Sequence, residues 1–342
     1  MPARHRGSLR RTTHVDVGPA GGDHRGPAGD HLGRTPNPPD DSAAMVVRGA
    51  GHEVRTDLGG RTAVVDARAI EAAFDGNRCL VRLIIGPEVP WASNMVGQRS
   101  GRGFRRALAD ATPPEAEGSL VTQLLDDLPA ALLISGYSAM RLGRLKGVDP
   151  GRMVPPDVLS RMTDLCSGWR SGGVVVKSIA LGRGVPVQDC PPSTDLEAED
   201  PAAWHSMPIL EANWMRRRRC IDASPGPGGR ARVWGMFRDT VAEHDGVEVV
   251  LHEYSVSLTI EPSLDGVPLI TTAHAVPAVL PFPECPAAAA AAAESVVGSP
   301  LAQLPQAVPE LLQGVRSCTH LNDLLRSIGG AAPAMVETGL KP

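Results

Sequence analysis

The stretch VEVVLHEYSVSLTIEP, Val247–Pro262, decides the fold class. Val250, His252, Tyr254, Val256, Leu258 and Ile260 fall on one side of an extended chain, and Glu253, Ser255, Ser257 and Thr259 on the other. A period of two is the signature of a strand with one buried face. It turns His252 and Tyr254 toward the core. A buried imidazole needs a hydrogen-bond partner or a ligand, because an unpaired polar group inside a protein is costly.

Working outward, the two parts of the chain resemble each other in order. RRTTHVD (Arg10–Asp16) precedes GRTAVVDA (from Gly60) and NRCLVRLIIGP (Asn77–Pro87), as RRRRCID (Arg216–Asp222) precedes GRARVWGMF (from Gly229) and HEYSVSLTIEP (His252–Pro262). Helical sequence follows each set. The expected class is α+β: two pseudo-repeated units, each of antiparallel strands followed by helices packed on one face. The first unit covers 1–181 and holds a long Gly/Pro/Asp-rich loop, roughly Val17 to Asp41. A Pro- and acid-rich linker or surface loop covers 182–208, the second unit 209–330, and a tail 331–342. Within the first unit, Pro155–Leu165 reads as a helix and the β-branched run Val174–Ile179 as a strand.

In the second unit, Pro286 opens a helix through the alanine run and Gly298 stops it. Leu321, Leu324, Leu325 and Ile328 form the buried stripe of a last helix, capped by Ser317 or Thr319 and ended by Gly329–Gly330.

Composition narrows the functional classes. The 342 residues are 42% hydrophobic, enough for a sizeable core. A net charge of −4 gives no global attraction for nucleic acid. The dense basic run Arg216–Arg219 reads as a solvated strand edge or a salt-bridged face, not a phosphate footprint. No apolar stretch reaches the length of a membrane span, and none follows the basic N-terminus as a secretory signal requires. Six separate cysteines without a CxxC read as reduced thiols of a cytoplasmic protein.

The chemistry-bearing residues gather near the end, in RSCTHLNDLLRSIGG (Arg316–Gly330). If Thr319 caps the last helix, free backbone N–H groups and the helix dipole favour a thiolate at Cys318. His320 follows in the first turn, with Asn322 and Asp323 placed to orient it. The first unit has Gly136 and Ser138 at the matching places, so only the second would carry the pair. A polar helix start holding a small buried thiol explains Cys318 and His320 equally well. Cys285 and Cys166 read as packed structural thiols. Cys285, Cys318, His320 and His252 are zinc-ligand types at spacings that match no compact zinc pattern, which ranks zinc below no metal. Phosphate-loop, zinc-peptidase and nucleophile-elbow motifs are all missing.

The ordered set LDDLP (Leu125–Pro129), SGY (Ser135–Tyr137), LCSGW (Leu165–Trp169), VVLHEYSV (Val249–Val256), LPFPECPAA (Leu280–Ala288) and CTHLNDLLR (Cys318–Arg326) resembles the bacterial domain-of-unknown-function 2889 family across nearly the whole chain. The family is associated with trans-anethole oxygenase and related propenylbenzene oxygenases. The resemblance implies haem, held by His252 or His320 with Cys318 as a third candidate, and a pocket for a flat apolar molecule lined by Tyr254 and Trp234. The expected activity is oxygenation of a small hydrophobic, aryl-alkene type of substrate, with no nucleic-acid or membrane partner. Two other readings compete. One is a cofactor-free catabolic enzyme using Cys318 and His320 as nucleophile or base. The other is a small-molecule-binding protein without catalysis. The oxygenase reading predicts an inward-facing histidine opening onto a large apolar cavity; the cofactor-free reading predicts Cys318 and His320 within hydrogen-bond reach of each other or of an acid such as Glu253 or Asp323; the last predicts Cys318, His320 and His252 apart.

Overall fold

The computed structural model describes residues 1–20, 43–145, 154 and 156–339. The Val17–Asp41 loop expected from composition falls mostly outside them. Among the described residues, eight strands form one antiparallel sheet: β1 Ser8–Pro19, β2 Ala43–Thr56, β3 Thr62–Asp75, β4 Leu80–Gly86, β5 Met215–Pro225, β6 Ala231–Ala242, β7 Glu248–Pro262 and β8 Pro268–Val279. Their order is β4-β3-β2-β1-β5-β6-β7-β8. Each set of four is a meander, and the two meanders meet at the β1/β5 seam.

After β4 come α1 (Phe104–Ala111) and the long α2 (Leu120–Leu145). A connection containing α3 (Pro156–Met162), α4 (Val174–Ala180) and α5 (Leu196–Glu199) leads to β5. After β8 come α6 (Ala287–Val296), α7 (Leu304–Leu311) and α8 (Thr319–Gly339). Helices α2 and α8 lie on one face of the sheet, over β1 and β5. Two apolar cores result. One joins Val233, Phe237, Tyr254 and Val256 to Leu321, Leu324 and Ile328; the other joins Ile70, Phe74 and Val15 to Leu124 and Leu128. The mixed, antiparallel α+β class is therefore as the alternation of β7 implies.

Several local expectations are corrected. The strand pattern missed β2, whose AAMVVRGAGHEVRT holds two glycines and little alternation. Its omission slid the comparison of the two units by one strand: Asn77–Pro87 is β4, whereas His252–Pro262 belongs to the third strand of its meander. Val174–Ile179 is helical, and the Glu284 carboxylate accepts from the Val174 N–H at its start. Val250 leaves the face of His252, because a bulge pairs it with Thr240 while Asp239 pairs with His252. Gly329–Gly330 do not end the last helix. A Cβ on Gly329 would lie 2.5 Å from Leu304 Cβ, so this glycine is the flat spot that lets α7 pack on α8.

The sheet makes room for α8 in the same way. A Cβ on Gly235 of β6 would stand 2.7 Å from Ile328 Cδ1. Gly235→Val should lift α8 from the sheet and cost roughly 1–3 kcal/mol, as overpacked cores do. Urea denaturation would read it as a lowered midpoint at unchanged slope.

The Arg216–Arg219 run is neither solvated nor at an edge. Arg217 and Arg219 are among the largest fully buried side chains, in a central strand. Of the two expectations for the run, the salt-bridged face is the observed one. Across the seam the pairs are reciprocal: Arg10 donates to Asp222 (2.9 Å), and Arg216 to Asp16 (2.6 Å). The 182–208 segment wraps the sheet: Val185 packs beside Tyr137 of α2 and the Gln188 carbonyl accepts from Arg141, whereas its later part lies against the face opposite α2 and α8. There Asp200 pairs with Arg10 and the Ala203 carbonyl accepts from Thr12.

Candidate functional site

β6 and β7 pair Asp239 with His252 in register, both turned toward α8. The first turn of α8 brings His320 onto them. His252 Nδ1 is 3.5 Å from Asp239 Oδ2, and the two imidazoles stack with centroids 4.0 Å apart. One ligand-type atom from each of Asp239, His252 and His320 lies within 4.8 Å of the others. Asp239 and His252 are buried; His320 is the member nearest solvent. Phe237 lies along His320 at 6.2 Å, and Tyr137 of α2 meets His252 at 5.3 Å.

Cys318 completes the group from the residue before α8. Its Sγ is 3.9 Å from His320 Nδ1. Tyr254, fully buried on β7, sits beside the thiol. Thus Cys318, His320, His252 and Tyr254, picked out from sequence, do converge. Trp234 does not. Its place on β6 faces the other side of the sheet, against Leu196, Trp204, Cys220 and Met236. Alternation along β6 puts Trp234 opposite Phe237 and Asp239, so one strand cannot present all of them to one pocket. Gly136 and Ser138 lie deep within α2 and do not match the start of α8.

Protonation states follow from burial. His320 is held well below the ordinary imidazole value, by burial first and then by the facing His252. It is a neutral donor at pH 7. The Asp239 carboxyl is pushed below the usual range: burial alone would raise it, but Arg217 outweighs that with bonds of 2.7 and 2.9 Å. Cys318 departs from expectation. Backbone N–H groups of His320 and Leu321 do approach its sulfur, yet burial dominates and raises its pKa. It is a thiol at neutral pH, not the activated thiolate that a helix start suggests.

Below this group lies an ion-pair network that sequence reasoning missed. Asp323 of α8 accepts from Arg217 (2.7 Å), Arg219 (2.7 Å) and Arg105. Asp127 of α2 takes the other side of Arg219 at 2.6 Å, and Asp126 pairs with Arg105. Arg217 therefore fixes both the site carboxylate Asp239 and the helix that carries His320. The available signal was the spacing of Arg217 and Arg219, two residues apart and hence on one face.

Asp323 sets an acid limit. Burial would raise its pKa, but Arg105, Arg217 and Arg219 hold it well below the usual carboxylate range. Stability from a depressed carboxyl is present above its unfolded pKa, ~3.9, and is lost as pH falls through the folded value. Its share should persist to about pH 4 and fade below. Asp127, raised by burial despite Arg219, contributes with the opposite sign. Urea midpoints from pH 7 to 2.5 should fall less steeply below pH 4 in Asp323→Asn than in the wild type; equal acid slopes would count against the assignment.

Comparison with known proteins adds one finding. Residues 215–333 match the model of a family described as protein of unknown function, DUF2889. The match spans β5 to α8 and so includes Arg217, Asp239, His252, Cys318 and His320. No curated protein and no solved structure matches the chain. No helix among the described residues is long and apolar enough to cross a membrane.

Proposed function

The chain belongs to the DUF2889 family, and from that premise we propose that it is a metal-dependent oxygenase of a small hydrophobic molecule. Asp239, His252 and His320 would hold one divalent ion. The observation that carries this reading is their convergence within 4.8 Å, two imidazoles and a carboxylate from three separate elements. Two His and one carboxylate with open positions is the donor set of mononuclear non-haem iron oxygenases. Of the three, Asp239 is ionised and His320 neutral, the forms in which such groups ligate. Arg217 orients the carboxylate from behind, as outer partners of metal ligands do. The partly exposed His320 marks the side from which dioxygen and substrate would approach.

Haem, the cofactor implied by the resemblance, suits the residues less well. The two imidazoles touch face to face, so no macrocycle passes between them as it would in a bis-histidine site. The Cys318–His320 contact favours a second reading, a metal-free proton-transfer pair.

Unit duplication belongs to the same proposal. The reciprocal pairs Arg10–Asp222 and Arg216–Asp16 support a two-fold relation about Thr13 and Arg219. Strand register then sets Glu53 and Asp66 where Asp239 and His252 stand, each carboxylate beside a bulge. The first unit has a carboxylate in place of the histidine, which leaves one working site.

Metal analysis and a visible spectrum of the purified protein test the reading. The expected result is one ion at this site, lost in His252→Ala, and iron-dependent oxygen uptake with an aryl alkene. A Soret band lost in His252→Ala would instead favour haem. Activity that survives chelation but not Cys318→Ser would favour the metal-free pair.

A further inference from the structure

Three cysteines from separate parts of the chain gather beside the start of α8. Cys166 lies in the turn after α3, Cys285 shortly before α6, and Cys318 immediately before α8. All three are buried free thiols. Ser167 ties their segments together. Its N–H donates to the Ser317 carbonyl at 2.8 Å, and its hydroxyl donates to the Glu284 carbonyl. The neighbour of each cysteine is thus bonded at one place.

Four features point to sulfur chemistry rather than packing alone. First, the Ser167–Ser317 bond fixes two backbones: planar peptide geometry puts the Cα atoms of Cys166 and Cys318 no more than ~8 Å apart. A disulfide spans ~4.4–6.8 Å. Second, a glycine admits the third sulfur. A Cβ on Gly168 would stand 2.9 Å from Cys285 Sγ, so any larger residue two places after Cys166 would push that thiol away. Third, fully buried Tyr254 sits beside Cys318, and its phenol makes no hydrogen bond of ordinary geometry among the described residues. A buried unpaired hydroxyl is costly. A sulfenic oxygen on Cys318 would give it a partner. Fourth, a cleft of about 530 Å3, walled in part by Phe282, Pro283 and Pro286, opens against the segment that carries Cys285. It gives a small oxidant its approach.

We propose that this thiol group is a site of reversible oxidation, at which a peroxide joins Cys318 to Cys166 or Cys285 by a disulfide. The peroxide transfers one oxygen to a first thiol: its O–O bond breaks, an S–O bond forms, and water leaves. The second sulfur attacks the sulfenic sulfur, forming the S–S bond and releasing a second water. Two thiols lose two electrons and two protons, and the peroxide takes them up. Burial holds Cys285 and Cys318 as thiols at neutral pH, so the site answers to sustained peroxide and not to a brief pulse. The bridge would anchor the start of α8, two residues before His320, to a segment outside the sheet. It needs no bound ion, so it stands or falls apart from the metal reading.

Metal-stripped, fully reduced protein treated with hydrogen peroxide, alkylated, and mapped by mass spectrometry without reduction tests this. The expected product is lighter by two hydrogens before alkylation and leaves two of the six thiols unalkylated. Its map joins the peptide of Cys318 to that of Cys166 or Cys285. The melting temperature should rise, because a bridge across a long loop constrains the unfolded chain, and dithiothreitol should return it. Cys318→Ser should lose the bridge, and Cys79→Ser, a half-buried thiol on another part of the chain, should keep it. Any of three results overturns the proposal: sulfinic or sulfonic acids with no bridge, a bridge that leaves out Cys318, or a bridge that lowers the melting temperature.

Discussion

Asp323→Ala should be among the most destabilising single changes in this chain. Asp323 accepts from Arg105, Arg217 and Arg219, and the last two guanidiniums are fully buried. A buried ion pair adds little over a well-packed apolar group, but deleting one partner strands the others in a low-dielectric interior. That costs about 3–5 kcal/mol, on the order of a 10 °C fall in melting temperature. Asp126→Ala is the control. Asp126 and Arg105 are partly exposed, and the change should cost under ~1 kcal/mol. Thermal and urea unfolding of both variants would check the contrast. Equal losses would mean that Asp323 holds the network no more tightly than a surface carboxylate does.

The second large effect concerns ion affinity and forms a graded series. His320→Gln removes a donor and should weaken binding by more than the ~10–100-fold that loss of an outer partner costs. Arg217→Lys keeps a positive charge but gives up the forked pair of bonds to Asp239, and should fall within that ~10–100-fold range. Cys318→Ser keeps all three proposed ligands and should change affinity least. Competition with a chromophoric chelator measures all three. An Arg217→Lys loss as large as that of His320→Gln would show that the site collapses as a unit; no loss in either would remove the ion from this place.

How far these features could be read in sequence depends on periodicity. β7 alternates without interruption over the stretch that faces α8, so the inward aim of His252 and Tyr254 was legible. β2 was not, because a strand buried on both faces and interrupted by Gly49 and Gly51 has no two-residue signature. The last helix was seen, but its length was misjudged: Gly329 breaks helices in isolation and here serves helix packing. Cys318 and His320 were legible as a pair by proximity alone. Asp239 was not, since a single acidic residue in a strand reads as solvent-facing until the strand beside it places an arginine opposite. Trp234 was misassigned because its type suggested a pocket while its parity with Asp239 and Phe237 was not applied. The protonation of Cys318 also lay beyond sequence, since it turns on burial rather than on the helix start.

The seam between β1 and β5 has a consequence for biosynthesis. β1 leaves the ribosome well before its second neighbour, which follows some two hundred residues later; Arg10 and Asp222 are separated by 212 positions. At ~5–20 residues per second the nascent chain waits about 10–40 s for that partner. Throughout that interval β1 has β2 on one side only, with Arg10, Asp16 and a row of backbone donors unmatched on the other. Ribosome-bound chains stalled before residue 215 should therefore be the species most in need of chaperones.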